Sequence, residues 1–308
     1  MIDAVIVSTA RTPIGKAYRG AFNATRSPTL LGHAIRHAVL RAGIEPGRIE
    51  DAVIGSVLNA GTAGGNLARH GVLAAGLPAS VGAQTLDRQC ASGLMAIATA
   101  AKQIVCDGMQ VVVAGGQENI SAVQARYFEW VSAERDPNVV SAQPAAYMPM
   151  LETAGFVARK YGISRDAQDQ YALESQQRTA EAQAKGRFAD EIVPITTQMS
   201  VADKVTGQTS LKEITLARDE GNRPGTTLAS LGELAPVMQG GVVTAGNASQ
   251  LSDGASACVL MNGKTAQQRK HPAKTPLGVN CRHSSGDGCP TMRQQRGDVV
   301  GAVGRQAI

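Results

Sequence analysis

The chain has 308 residues, 43% of them hydrophobic and only 3% aromatic, with 34 glycines and a formal net charge of +5. That length holds one large domain or two ordinary ones, and a composition so rich in small residues suits an α/β protein better than a β-sandwich. The excess charge is local: residues 264–308 carry +6 and the rest −1, which excludes a basic body built to hold nucleic acid.

The five cysteines, Cys90, Cys106, Cys258, Cys281 and Cys289, are scattered and contain no Cys-x-x-Cys pair. A reducing compartment is expected, without a zinc cluster or any other metal. The stretch Met1 to Ser8 is too short and too acidic for a signal peptide. No apolar run reaches about 18 residues, so no membrane span is expected and the cytoplasm is the default location.

In chain order, Ala4 to Ser8 reads as a buried strand, followed by the turn-rich Thr9 to Gly15. Ser27-Pro28 opens a helix, with Ser27 as the expected cap, that runs to Ala42 and ends at Gly43. His33 and His37 lie four residues apart on it without an evident third ligand, so packing or surface roles are expected rather than a metal. Asp51 to Leu58 is a second strand, and the glycine-rich loop Asn59 to Gly65 lacks the Gly-Lys-Ser/Thr ending of a phosphate loop. A helix over Asn66 to Ala75 leads to the strand Val81 to Leu86. A helix-like run from Leu94 to Val105 and a strand over Val111 to Gly116 follow. Strands alternating with helices predict a layered α/β fold with parallel sheet, its sites at the carboxyl ends of the strands.

Asp87-Arg88-Gln89-Cys90-Ala91-Ser92-Gly93 falls at such an end, where a strand turns into a helix. Unpaired N–H groups and the helix dipole there favour an anion, and a thiol so placed ionises more easily to the nucleophilic thiolate. Residue type alone leaves open a buried structural cysteine at position 90.

From Ile120 to Met238 the pattern changes. Tyr127, Phe128 and Trp130 fall in a segment read as irregular, then come helical runs over Leu151 to Tyr161 and Arg165 to Lys185, the second capped by Ser164. Glu191 to Arg223 is strand-like in pieces. The α/β pattern returns in a strand-like stretch over Gly240 to Ser249 and a last strand over Ala255 to Met261. The expected division is an α/β domain of residues 1–119 and 240–262, an inserted loop domain of 120–239, and an atypical tail of 263–308 without a core.

These residues together resemble one family. Asp87 to Gly93 resembles the acyl-accepting cysteine motif of thiolases, and Val243 to Ser249 with Ser252-Asp253-Gly254-Ala255 resembles a second thiolase signature. Ala10 to Gly15, Ala114-Gly115-Gly116, Lys160 to Arg165 and Arg223-Pro224 match in the same order, so the resemblance covers residues 1 to about 270. It implies a thiolase fold: two similar βαβαβαββ halves in α-β-α-β-α layers, with a loop domain inserted in the first, forming homodimers or homotetramers. It also implies an acyl-CoA:acetyl-CoA C-acyltransferase acting through a cysteine thioester, in thiolytic cleavage of a 3-ketoacyl-CoA or in Claisen condensation. The substrates are acyl-CoA, acetyl-CoA and CoA, with no permanently bound cofactor. Cys90 matches the nucleophile, and its backbone N–H one oxyanion donor. Ser249 matches a contact to the pantetheine arm, Arg223 a basic residue near the CoA nucleotide, and Met150 a pocket position. Chain-length preference, direction and pathway stay open.

The family's Asn-Glu-Ala-Phe, Gly-His-Pro and Cys-x-Gly-x-Gly segments do not occur; His271-Pro272 follows Lys270, and Cys289 precedes Pro290. The C-terminal half is therefore expected to be largely missing, as in a truncated or frame-shifted chain. The alternatives are an inactive chain that at most binds CoA or pairs with a full-length subunit, and a ketoacyl synthase-like condensing enzyme, which also places a Cys at a strand-to-helix turn.

Overall fold

A computed structural model of the chain describes residues 3–203, 205–269 and the backbone of 275–277. In chain order the elements are β1 (Ala4–Arg11), β2 (Gly15–Lys16), α1 (Ser27–Ala42), β3 (Asp51–Gly55), α2 (Leu67–Ala74), β4 (Gly82–Leu86), α3 (Ser92–Cys106) and β5 (Val111–Asn119). Then follow α4 (Ile120–Ala133), α5 (Pro137–Ala142), α6 (Met150–Tyr161), α7 (Arg165–Ala184), β6 (Ile195–Ala202), β7 (Thr209–Leu216), α8 (Leu228–Gly232), β8 (Ser252–Asn262), α9 (Gly263–Gln268) and β9 (Thr275–Leu277).

One mixed sheet organises these pieces, in the order β4-β3-β5-β8-β1-β9, with β2 against β8. β3 runs parallel to β4 and β5, while β8 is antiparallel to both β5 and β1. β1, β3 and most of β5 are nearly continuous apolar runs, as expected where both faces are covered, whereas the edge strand β4 has no buried residue. On one face α1 and α2 pack Leu30, Leu31, Ile35, Leu67 and Val72 against Ile54, Val113 and Val259. On the other, α3 packs Ala96, Ile97, Ala100 and Ile104 against Val53, Val112, Ala114 and Leu260. The small side chains of α3 let this helix lie close to the sheet.

The segment between β5 and β8 leaves and returns at one place, since Asn119 and Asp253 are register partners. It contains helices α4 to α8 and the antiparallel hairpin β6–β7.

Several elements differ from the sequence expectation. Arg26, not Ser27, stands at the cap of α1 and makes no side-chain cap bond; Ser27 is helical, so Pro28 occupies the second position. β3 stops at Gly55 because the Glu118 carboxylate draws off the Val57 and Leu58 N–H groups. Tyr127, Phe128 and Trp130 belong to α4, whose start is capped by Asn119 accepting from Ala122 N–H at 3.1 Å. Residues 240–249 form turns rather than a strand, because Asn247 and Thr244 bond within the segment. Beyond Asn262, α9 buries Ala266, and the β9 backbone pairs with β1 where no element was expected.

Candidate active site

Cys90 lies at the carboxyl end of β4, immediately before α3, and its side chain is exposed and free of any disulfide. Its turn is wound tightly. Gln89 adopts a left-handed backbone, φ 50°. The Asp87 Oδ1 accepts the Gln89 N–H at 2.7 Å. The buried Ser92 hydroxyl accepts the Arg88 N–H at 2.8 Å and donates to the Gln89 carbonyl at 2.6 Å. A helix starts here because Ser92 and Ala91 also send N–H groups back to Gln89 and Arg88.

Glycines bring this turn down onto the sheet. A side chain at Gly55 would collide with the Ser92 backbone, and a Cβ at Gly116 would stand 3.5 Å from the Gly93 Cα. Ser56 N–H bonds the Leu86 carbonyl at 3.1 Å, tying the end of β3 to the strand that carries the cysteine. Beyond Gly116, the largely buried Glu118 clasps the Val57 N–H. Burial pushes its carboxyl above the usual range, and the nearby Asp87 charge adds to the shift.

The second signature is fixed by a different network. Asn247 accepts the Thr244 N–H at 2.8 Å and donates to the Val242 carbonyl and to the buried Asp169 at 3.1 and 2.9 Å. Asp169 in turn pairs with Arg165 at 2.7 Å, and Arg165 reaches the Leu231 and Leu234 carbonyls. Lys160 to Arg165 and Val243 to Ser249, separate in sequence, therefore meet on α7. Ser249 is exposed beside this turn. Arg223 is exposed as well, and its N–H bonds Gln176 Oε1 farther along α7 at 2.8 Å. Met150 opens α6 and is 74% exposed. Described contacts thus anchor Arg223 and the Ser249 turn to α7, and the Cys90 turn to the sheet.

Two further charged groups brace the carboxyl edge. Arg11, at the end of β1, is 3% exposed, holds Asp219 through both terminal nitrogens at 2.7 and 2.9 Å, and reaches Glu191 through Nε at 2.9 Å. Asp253, at the start of β8, is fully buried and receives both the N–H and the hydroxyl of Ser121; burial raises its carboxyl despite those bonds. Of these, sequence reasoning singled out only the segments that contain Arg11 and Asp253. Glu118 and Asp169 went unmarked, although a lone carboxylate beside a strand of valines and glycines, or four residues after an arginine on a helix, is a readable signal.

The His33 and His37 rings meet at a tilt of 51° with centroids 4.5 Å apart, and His33 Nε2 lies 3.4 Å from the Val193 carbonyl. Among the described residues no group of three His, Cys, Asp or Glu side chains is placed to hold a metal, and no helix is long and apolar enough to cross a membrane. His271, Cys281 and Cys289 lie outside the described residues.

Comparison with known proteins adds relatives to this geometry. Residues 4–264 match the thiolase N-terminal domain family. A 3-ketoacyl-CoA thiolase of Bacillus subtilis is 41% identical over 270 residues, 86% of this chain and 67% of the relative. The peroxisomal 3-ketoacyl-CoA thiolase 2 of Arabidopsis thaliana is 38% identical over 90% of this chain and 58% of its own length. An acetyl-CoA acetyltransferase of Cupriavidus necator is 40% identical over 91% of this chain and 70% of its own. The chain therefore spans about three-fifths to two-thirds of the relatives it matches. Strands β1 to β5 and β8 of the sheet, the cysteine turn and the second signature all fall inside the matched residues, and the chain belongs to the thiolase family.

Proposed function

We propose that this chain carries the acyl-accepting site of an acyl-CoA:acetyl-CoA C-acyltransferase, with Cys90 as the nucleophile. The observation that carries this is an exposed thiol at the head of a 15-residue helix, in a turn braced from both sides. With a 3-ketoacyl-CoA the Cys90 sulfur attacks the C3 ketone, the C2–C3 bond breaks, and acetyl-CoA leaves after its carbanion takes up a proton; with a simple acyl-CoA the sulfur attacks the thioester carbonyl and CoA leaves as its thiol, carrying the proton that the cysteine gave up. The Cys90 peptide N–H faces the oxygen on which negative charge develops. The acyl group then passes to free CoA or to the enolate of acetyl-CoA. Ser249 and Arg223 line the path of the CoA arm and nucleotide, and Met150 contacts the acyl group. The family relatives named as thiolases and an acetyltransferase support this assignment.

The working assembly is a homodimer or homotetramer. β4 ends the strand order of the sheet, and apart from the Ala83 carbonyl, which accepts from Asn66 Nδ2 at 3.1 Å, its outer edge is the one offered to a second copy.

The test is peptide-mapped mass spectrometry after incubation with acetoacetyl-CoA and then with free CoA. An acetyl group on Cys90 that free CoA removes is the expected result. Absence of acetylation at Cys90, or an adduct that CoA leaves in place, overturns the proposal.

A further inference from the structure

The residue before the nucleophile holds an unfavourable backbone. For a side chain other than glycine the left-handed region is unfavourable, and it persists only where neighbours impose it. Gln89 sits there at φ 50°, solvent-exposed, with no core packing to force it. Hydrogen bonds impose it: the Gln89 carbonyl accepts the Ser92 backbone N–H at 3.0 Å, and two side chains supply the rest. Asp87 Oδ1 takes the Gln89 N–H at 2.7 Å, and Ser92 Oγ donates to the Gln89 carbonyl at 2.6 Å. Both polar ends of the Gln89 backbone are thus pinned. The same Ser92 hydroxyl also takes the Arg88 N–H at 2.8 Å, so it ties together the two residues that precede the cysteine. Ser92 is 4% exposed and its own backbone presses on Gly55, so this anchor is immobile.

We propose that Ser92 and Asp87 are positioning residues for Cys90: they hold Gln89 left-handed and so keep the sulfur at the head of α3. The assignment rests on the acyl-transfer role of Cys90. Without the two side chains Gln89 relaxes toward the right-handed or extended basins, and the Cα–Cβ direction of the next residue swings with it. The thiol then leaves the field of the helix start, where N–H groups and dipole activate a sulfur nucleophile. Neither residue touches the acyl group; each acts through the backbone of residues 88 and 89.

The molecule contains its own controls. Cys106 is exposed at the far end of the same helix, and Cys258 is buried in the sheet. Ser92→Ala, Asp87→Ala and Asp87→Asn are compared by peptide-mapped alkylation with iodoacetamide at neutral pH. The readout is the ratio of the Cys90 rate to the Cys106 rate. The expected result is a fall of about ten-fold in Ser92→Ala and about three-fold or more in Asp87→Ala, with Cys258 protected throughout. Asp87→Asn keeps an acceptor oxygen and holds the ratio within about two-fold of the parent. A purely structural role predicts equal losses at Asp87→Ala and Asp87→Asn, or exposure of Cys258 instead. An unchanged ratio in both alanine variants overturns the proposal. If Ser92→Ala exposes Cys258, the Asp87 pair decides alone. Failure of acetoacetyl-CoA to acetylate the parent Cys90 refutes the acyl-transfer assignment, while the alkylation ratio still reports on the turn.

Discussion

Gly55 shows how one missing side chain sets the site. It ends β3, and any Cβ there would collide with the carbonyl carbon and oxygen of Ser92. The neighbours are backbone atoms of a helix start, which cannot swing aside as a flexible side chain would. Its φ is not in the left-handed region, so the constraint is space rather than conformation. Gly55→Ala is therefore expected to displace the α3 start and to destabilise the fold by about 1–3 kcal/mol, the usual cost of overpacking. Urea unfolding measures the loss. The acetylation proposed for Cys90 is expected to be slower in the same variant, because Ser92 is both the residue struck and the residue that bonds the cysteine turn.

Among the elements, the join between β1 and the inserted segment rests on Arg11. Its guanidinium grips Asp219 at two points and Glu191 at a third, while Asp219 also takes the Ile14 N–H at 2.8 Å. Glu220, the next residue, takes the Lys16 N–H, also at 2.8 Å. Removing the cation leaves the partly buried Asp219 and Glu191 carboxylates without their shared partner. Arg11→Ala is expected to cost about 3–5 kcal/mol and to open residues 186–220 to limited proteolysis ahead of the sheet. Arg11→Lys recovers only part of this, since an ammonium cannot reproduce the two-pronged contact.

The same join shows what was legible in sequence. Ala10 to Gly15 stood out as a match to a family pattern, but its work as a clamp needed Asp219 and Glu191, about 200 residues away. The helices with plain caps were readable: Ser164 accepts the Ala167 N–H at 3.2 Å, and Gly43 ends α1 with φ 60°. The valine-rich strands were readable by composition. The turn over residues 240–249 was not, because its shape follows from Asp169 on α7 holding the Asn247 amide. The cysteine turn was placed correctly between β4 and α3, while the left-handed Gln89 and its two anchors gave no sequence signal beyond the short polar residues themselves. Local rules thus gave elements, and tertiary hydrogen bonds decided the turns that carry the candidate site.

For the whole molecule, the acid side of its stability depends on groups whose proton affinity the fold shifts. His33 is pressed between α1 and the Val193 carbonyl, and burial, then the charges of His37 and Arg36, lower its pKa to about 4. The unfolded chain regains the ordinary value of 6.5. As pH falls through the window from 6.5 toward about 4, the unfolded chain takes up this proton and the folded one does not, so stability is lost. Glu118 and Asp253 act with the opposite sign. Burial raises both, so the folded chain binds their protons first and gains stability as pH falls toward their ordinary values. Substitution of His33 separates the two contributions, because the carboxyls are common to both proteins. His33→Gln, with an amide still able to donate to Val193, is expected to lose less stability than the parent between about pH 7 and about pH 4. The difference is on the order of 1–2 kcal/mol, reduced from the full shift because the ring is only partly buried. Urea midpoints taken across that range measure it. Parallel pH profiles for the two proteins would show that His33 titrates in the fold as it does in the unfolded chain, and would overturn its part in the acid loss.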